Sequence, residues 1–283
     1  MKKLCFWLLI ATNYASAQEI NNDTASHEPV ISYIYWITMH AREPEIYDSL
    51  YQFFVHDLQL PQLFDTETYG SARYFTIRAG NVILEPCGPF EFHPDFGPEV
   101  TTRYNTLAFR PYESAATSAA ILQNLGFGIT VRDQDELLNL TVDELTTDFL
   151  PVNVSKTAPV KNEDGLILDS LQKDLIRRGG GPLGLEYIEE VHIGYTTDEY
   201  LAKWKEFLHP LENKTNFWIL PHKPNIRFIK SEREEIVALV FKVRSLASAV
   251  RYLKSKNMLG TQNGDLTEID ISWNRGIRIF VTE

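Results

Sequence analysis

Apolar and polar positions along the chain repeat one order four times: an apolar strand-like run, an amphipathic helical stripe, then short alternating runs. The clearest copies are Val191–Leu208 and Val237–Leu259; Ser32–Leu60 and Asn105–Gly126 carry weaker ones. A unit of this kind leaves one sheet face bare when alone, so the units are expected to pair. The predicted class is α+β, with mixed sheets carrying helices on one face.

In the first copy, Ile31–His40 alternates as a strand, with Ile37 and Met39 on one face and Trp36, Thr38 and His40 on the other. Pro44 suits a first helical turn, and Tyr47, Leu50, Tyr51, Phe54 and Leu58 form its stripe. Strands are expected at Gln62–Thr68, Ala72–Ile77 and Val82–Glu85, with turns at Gly70 and Gly80-Asn81. The second copy predicts a strand at Thr106–Arg110 and an Ala-rich helix from Ser114 to Leu125, stopped by Gly126. The third predicts a helix burying Leu201, Trp204 and Leu208, then strands at Phe217–Leu220 and Ile226–Lys230. The fourth predicts a helix burying Leu246, Val250 and Leu253. A hairpin follows, with strands Glu268–Trp273 and Ile277–Thr282 around Asn274-Arg275-Gly276. Val191 and Val237 are only 46 residues apart, so the third copy has room for one strand fewer.

The cadence breaks between Thr157 and Gly184, which ends in Gly179-Gly180-Gly181-Pro182 and cannot continue a helix. The run lacks the Lys-Ser/Thr and the leading strand of a phosphate loop, and reads as a linker turn. The expected division is a first domain over 30–156, a linker with a short helix over 157–186, and a second domain over 187–283.

Lys2 and Lys3, the apolar run Leu4–Thr12 and Ala15-Ser16-Ala17 form an export-signal pattern cleaved after Ala17. Residues 1–17 are therefore expected to be a signal peptide, 18–29 a flexible lead-in, and the mature chain periplasmic or secreted, with no membrane anchor. The full chain carries a formal charge of −11, so there is no electrostatic case for nucleic acid. Cys87 alone survives processing, which excludes an intramolecular disulfide. Stability must come from apolar cores, and the 44% hydrophobic content can supply them.

Strand–helix–three strands, paired, resembles the vicinal oxygen chelate superfamily of glyoxalases, extradiol dioxygenases and bleomycin-resistance proteins. The matching stretches are Trp36–Pro61, His192–Leu208, Ala238–Gly260 and Gly80–Glu85 (GNVILE). The resemblance implies two tandem domains, each of paired βαβββ units forming an open mixed-sheet barrel around a cavity. It also implies a divalent metal held by leading-strand residues and a last-strand Glu, acting as a Lewis acid on a small substrate. The leading-strand positions hold Trp36, Thr106, His192 and Ala238. Glu85 matches the last-strand carboxylate, whereas Phe228 and Phe280 occupy that place in the third and fourth units. No triad is complete, so no metal ligand or cofactor is assigned, and a divalent metal stays open as the alternative.

The cavity candidates are Trp36, Thr38, His40, Arg73, Glu85 and His192, with Tyr33, Tyr35 and Tyr74 as aromatic walls. Glu85 either faces a wet cavity or is neutralised by Arg73. His40 either lines the first cavity or ends its strand at the surface. His192 reads as a hydrogen-bonded structural residue, since Ala238 and Phe280 supply no donor atoms. Glu91-Phe92-His93-Pro94-Asp95 reads as a cavity lip, and Glu232–Glu235 as a solvated turn. Cys87 has no adjacent base. The function expected is handling of a small molecule in a barrel cavity. The alternatives are a metal-dependent lyase, isomerase or dioxygenase, and a non-catalytic scaffold; a homodimer is compatible with each.

Overall fold

A computed structural model describes residues 28–134, 137–155, 171–211, 214–273 and 275–283. The signal-peptide and lead-in expectations for residues 1–27, the turn residue Asn274 and residues 157–170 of the 157–184 break lie outside the described residues. Among the described residues, no helix is long and apolar enough to cross a membrane.

The chain forms two mixed sheets with helices packed on one face of each. The first unit runs β1 (Ile31–Ala41), α1 (Pro44–Tyr51), β2 (Gln62–Tyr69), β3 (Ala72–Ala79) and β4 (Val82–Gly88). The second runs β5 (Thr102–Pro111), α2 (Ala115–Asn124), β6 (Ile129–Gln134), β7 (Leu137–Val142) and β8 (Val152–Ser155). Their strands make an eight-stranded sheet in the order β2-β3-β4-β1-β5-β8-β7-β6. The leading strands β1 and β5 pair antiparallel at its centre, and each closes its unit by a parallel pairing with the last strand, β4 or β8. The third and fourth units repeat this with β9 (Leu185–Tyr195), α3 (Asp198–Leu208), β10 (Phe217–Trp218), β11 (Asn225–Lys230), β12 (Ile236–Val243), α4 (Leu246–Ser255), β13 (Leu259–Asn263), β14 (Leu266–Ile269) and β15 (Ile279–Thr282). The second sheet has seven strands, β10-β11-β9-β12-β15-β14-β13. The third unit is the one short of a strand, as the spacing required. Neither sheet closes into a barrel.

Local chemistry sets the helix starts. Ser114, Thr197 and Ser245 each accept a backbone N–H three residues on, and Asp198 and Glu199 place negative charge in the first turn of α3. After α1 the helix widens into a π-helical turn over Gln52–Asp57. That turn rotates Phe53 inward beside Phe54, a burial the regular stripe did not include.

Two expectations fail in detail. The last hairpin is not Glu268–Trp273 against Ile277–Thr282: β13 and β14 form a hairpin around Gly264, and β14 then pairs with β15 through Thr267 and Val281. Residues 271–273 form a turn instead. Gly264, with φ of 59°, is the better hairpin signal. Strands β6, β7 and β8 were not foreseen, because their short runs carry too little alternation to separate strand from loop.

One hydrophobic core runs through both halves. At its centre Trp204 of α3 is fully buried, and Phe207 packs edge-on against Phe109 of β5 at 5.5 Å and near Phe127 at 6.4 Å. Close backbone approach reinforces this seam. A Cβ at Gly80 would stand 2.5 Å from the Tyr187 Cα, and one at Gly181 would stand 2.6 Å from the Leu58 carbonyl oxygen. Gly181 of the linker turn therefore serves contact between halves as well as chain reversal.

Candidate functional site

The helix-free face of the first sheet is built by simple alternation. Ile37, Met39 and Leu84 enter the core under α1 and α2, so their neighbours Trp36, Thr38, His40 and Glu85 point the other way. Register then brings them together: in the parallel β1–β4 pair, Thr38 stands beside Glu85 and His40 beside Cys87. Trp36 Nε1 donates to Glu85 Oε2 at 3.0 Å, and Thr38 Oγ1 accepts the Thr106 N–H at 2.9 Å. Tyr35, Trp36, Ile83 and Ala108 form a small apolar cluster on this face, flanked by Tyr33 and Leu63. A bulge between Ile34 and Trp36 lets Tyr35 join it.

Glu85 is held by a neutral indole N–H, with no cation beside it among the described residues. Burial pushes its carboxyl from the ordinary 4.5 up to about 7, and the Trp36 hydrogen bond only partly offsets this. His40 stacks on Phe90 with ring centroids 4.2 Å apart. Burial, and then the nearby Arg103 charge, lowers it from 6.5 to about 4, so it is neutral at pH 7. Burial pushes the Cys87 thiol well above its ordinary range, which makes it a poor nucleophile.

Arg73 is a correction. Its parity on β3 matches Phe75 and Ile77, which face the helices. It lies over the Tyr47 ring at 4.4 Å and pairs with Asp48 at 2.9 Å, so it neither lines the open face nor neutralises Glu85. Tyr74, one residue on, faces the other way and donates to Glu67 Oε2 at 2.5 Å. The Glu91–Asp95 segment does form a lip. It borders a groove of about 810 Å³ with Arg42, Phe90, Phe92 and Pro94. Arg42 stacks over Phe92 at 4.8 Å and donates to the Phe96 carbonyl.

The corresponding face of the second sheet is chemically different. His192 is buried, with Nε2 bonded to Glu190 Oε2 at 2.9 Å. Arg227 grips the same carboxylate, Nε to Oε2 at 2.7 Å and Nη2 to Oε1 at 2.9 Å. Burial alone would raise Glu190, but the His192 and Arg227 hydrogen bonds outweigh it and bring the carboxyl down to about 2. The residue opposite His192 in the β9–β11 pair is Arg227, not Phe228. Phe228 packs into the core against Trp218, so its assignment to the carboxylate place was one residue out of register. Across the other edge His192 meets Ala238 in register, and Phe280 lies 6.4 Å away ring to ring. Sequence reading missed the Glu190–Arg227 clamp. Its one signal was an acid two residues before His192, on the same strand face.

Among the described residues, neither face brings together a set of side chains that would ligate a metal. Around His192 a guanidinium occupies both oxygens of the carboxylate bonded to it, and Ala238 and Phe280 bring no donor. Around Glu85 the neighbours are the Trp36 indole, the Thr38 hydroxyl and the Cys87 thiol, whose proton burial holds in place. Among the described residues, no three His, Cys, Asp or Glu side chains converge.

No protein-family model matches the chain, and no curated protein matches it. Solved structures do. A homoprotocatechuate 2,3-dioxygenase variant from Brevibacterium fuscum, in complex with HPCA, superposes with a TM-score of 0.59 at 15% identity, covering 92% of this chain and 73% of that one. The native enzyme from Arthrobacter globiformis gives 0.56 at 13% identity, over 91% and 81%. The Mn(II)-bound glyoxalase from Novosphingobium aromaticivorans gives 0.56 at 9% identity, over 90% and 83%. At these identities the likeness is one of fold. The protein has the vicinal oxygen chelate fold, with paired strand–helix–strand units in tandem.

Proposed function

We propose that this is an exported, glyoxalase-like protein that takes a small planar or apolar molecule on the helix-free face of its first sheet, with Glu85 as the polar anchor. The carrying observation is a largely buried carboxyl, held near pKa 7 and fixed through one oxygen by Trp36. At neutral pH such a group both donates and accepts a hydrogen bond, and can take up or return a ligand proton. Tyr33, Tyr35 and Trp36 supply the apolar wall. In this reading the mature chain begins at Gln18, with the two halves spanning 30–156 and 187–283. Ligand-observed NMR with a library of planar fragments tests it. Hits should weaken at least tenfold in Glu85→Gln and Trp36→Ala, and identical binding in all three proteins would sink the reading.

A second reading, a metal-dependent lyase, isomerase or ring-cleaving dioxygenase, draws on the placement of His192 on a leading strand and on the enzymes that share the fold. Metal analysis of protein purified from its native envelope separates the two. A stoichiometric Fe, Mn, Zn or Ni that His192→Ala removes would favour this second reading.

A further inference from the structure

In the turn read as solvated, Glu232 is exposed, but Arg233, Glu234 and Glu235 are half-buried in the seam between the two sheets. There Arg233 and Arg103 of β5 both stack on the Phe96 ring, with guanidinium carbons 5.0 and 4.8 Å from its centroid. A pocket of about 310 Å³ opens beside them. Both guanidiniums are held by backbone carbonyls: Arg103 donates to the Phe149 oxygen at 3.0 Å and Arg233 to the Asp95 oxygen at 2.8 Å. Arg103 also donates to the Asn105 side-chain oxygen. Arg278, a third lining cation, is already paired with Glu268 at 2.9 Å.

Two polar atoms here are buried without a hydrogen-bond partner, Arg103 Nε and Thr102 Oγ1, and Thr102 is only 4% exposed. Such groups cost stability unless something completes them. Among the described residues the one lining acid is Glu235, which acts on both arginines through space. The remaining walls, Tyr104, Ile236 and Ile277, are apolar. Two cations, one of them with an unsatisfied buried donor, beside an apolar wall match an anion with an apolar body, and a guanidinium's planar fork suits a carboxylate.

We propose that the seam pocket binds a small carboxylate with an apolar body, its carboxylate between Arg103 and Arg233 and its body against Tyr104 and Ile277. The site lies beyond the His40 end of the Glu85 face, with Arg103 opposite His40 in the β1–β5 pair, and draws on both sheets, so occupancy would also tie the halves together.

Isothermal titration of the mature chain at low salt, with sodium benzoate as probe and benzamide as its neutral isostere, tests this. Benzoate should bind saturably at one site, and benzamide at least about tenfold more weakly. Arg233→Gln should weaken benzoate by a similar factor, and Arg251→Gln, a surface change, should not. Backbone amide shifts on titration should centre on Thr102 and Ile277. If Arg103→Gln does not fold, Arg233→Gln and the shift map decide. Absence of saturable binding, equal binding of benzamide, full affinity in Arg233→Gln, displacement of benzoate by equimolar inorganic phosphate, or shifts centred elsewhere would each overturn the proposal.

Discussion

Glu85 and Glu190 are the same side chain on equivalent faces of two related sheets, yet one carboxyl is pushed up to about 7 and the other down to about 2. Both pay desolvation. Glu190 receives a guanidinium fork and an imidazole in return, whereas Glu85 receives a single indole N–H. One polar cluster is thereby closed on itself, and the other is left with hydrogen-bonding capacity unspent. Repeated architecture has given one face whose charges pair among themselves and one whose carboxyl is held by an indole alone among the described residues.

The largest expected effect is in the pH dependence of the open face. A carboxyl raised from 4.5 to about 7 costs no stability below pH 4.5; its penalty builds as pH rises from 4.5 to about 7 and is complete above that. Glu85→Gln should therefore be more stable than wild type at pH 8, by up to about 3 kcal/mol, and equal to it at pH 4. Urea denaturation at both values checks this; equal stability at pH 8 would show that Glu85 is solvated. His40 works in the opposite sense. Held at about 4 instead of 6.5, it stabilises above pH 6.5, and that contribution is lost as pH falls toward 4. Between pH 4.5 and 6.5 the two slopes oppose. Glu85→Gln should expose a stability that rises with pH across this window, and His40→Gln one that falls.

On the closed face, Glu190→Gln should cost about 2 kcal/mol at pH 7, less than for a fully buried pair because Arg227 is 41% exposed. The loss should vanish as pH falls toward 2, where wild-type Glu190 also becomes neutral. Thermal melts at pH 7 and pH 2.5 read both. His192→Ala should cost about 1–2 kcal/mol, since Arg227 still holds the carboxylate, and should leave metal content unaltered. Loss of a bound metal would instead put His192 among its ligands.

The smallest effect is expected for Trp36→Phe. It removes the one bond that lowers Glu85, so the carboxyl should titrate higher still, as carboxyl-carbon NMR would read. No change would mean that the indole contact is not maintained in solution.

Alternation and helical stripes were enough to foresee the four units, the helices, the shortened third unit and the sidedness of Trp36, Thr38 and His40. Those signals are local: period two and period 3.6 are written into consecutive residues. Arg73 shows where local reading stops. It lies on the strand next to β4, but one step of pleat sends it to Asp48 and Tyr47 instead of Glu85. Phe228 shows the same for register, because a shift of one residue exchanged it with Arg227 and hid the clamp.

By itself, then, the sequence determined the class of fold and which residues could carry charge into it, since burial of a repeated apolar face depends on spacing alone. Tertiary structure decided which carboxylate met a cation. Strand pairing brings together residues far apart in the chain, Glu190 with Arg227 and Trp36 with Glu85, and at hydrogen-bond distance the identity of that partner sets whether a buried charge is held or refused.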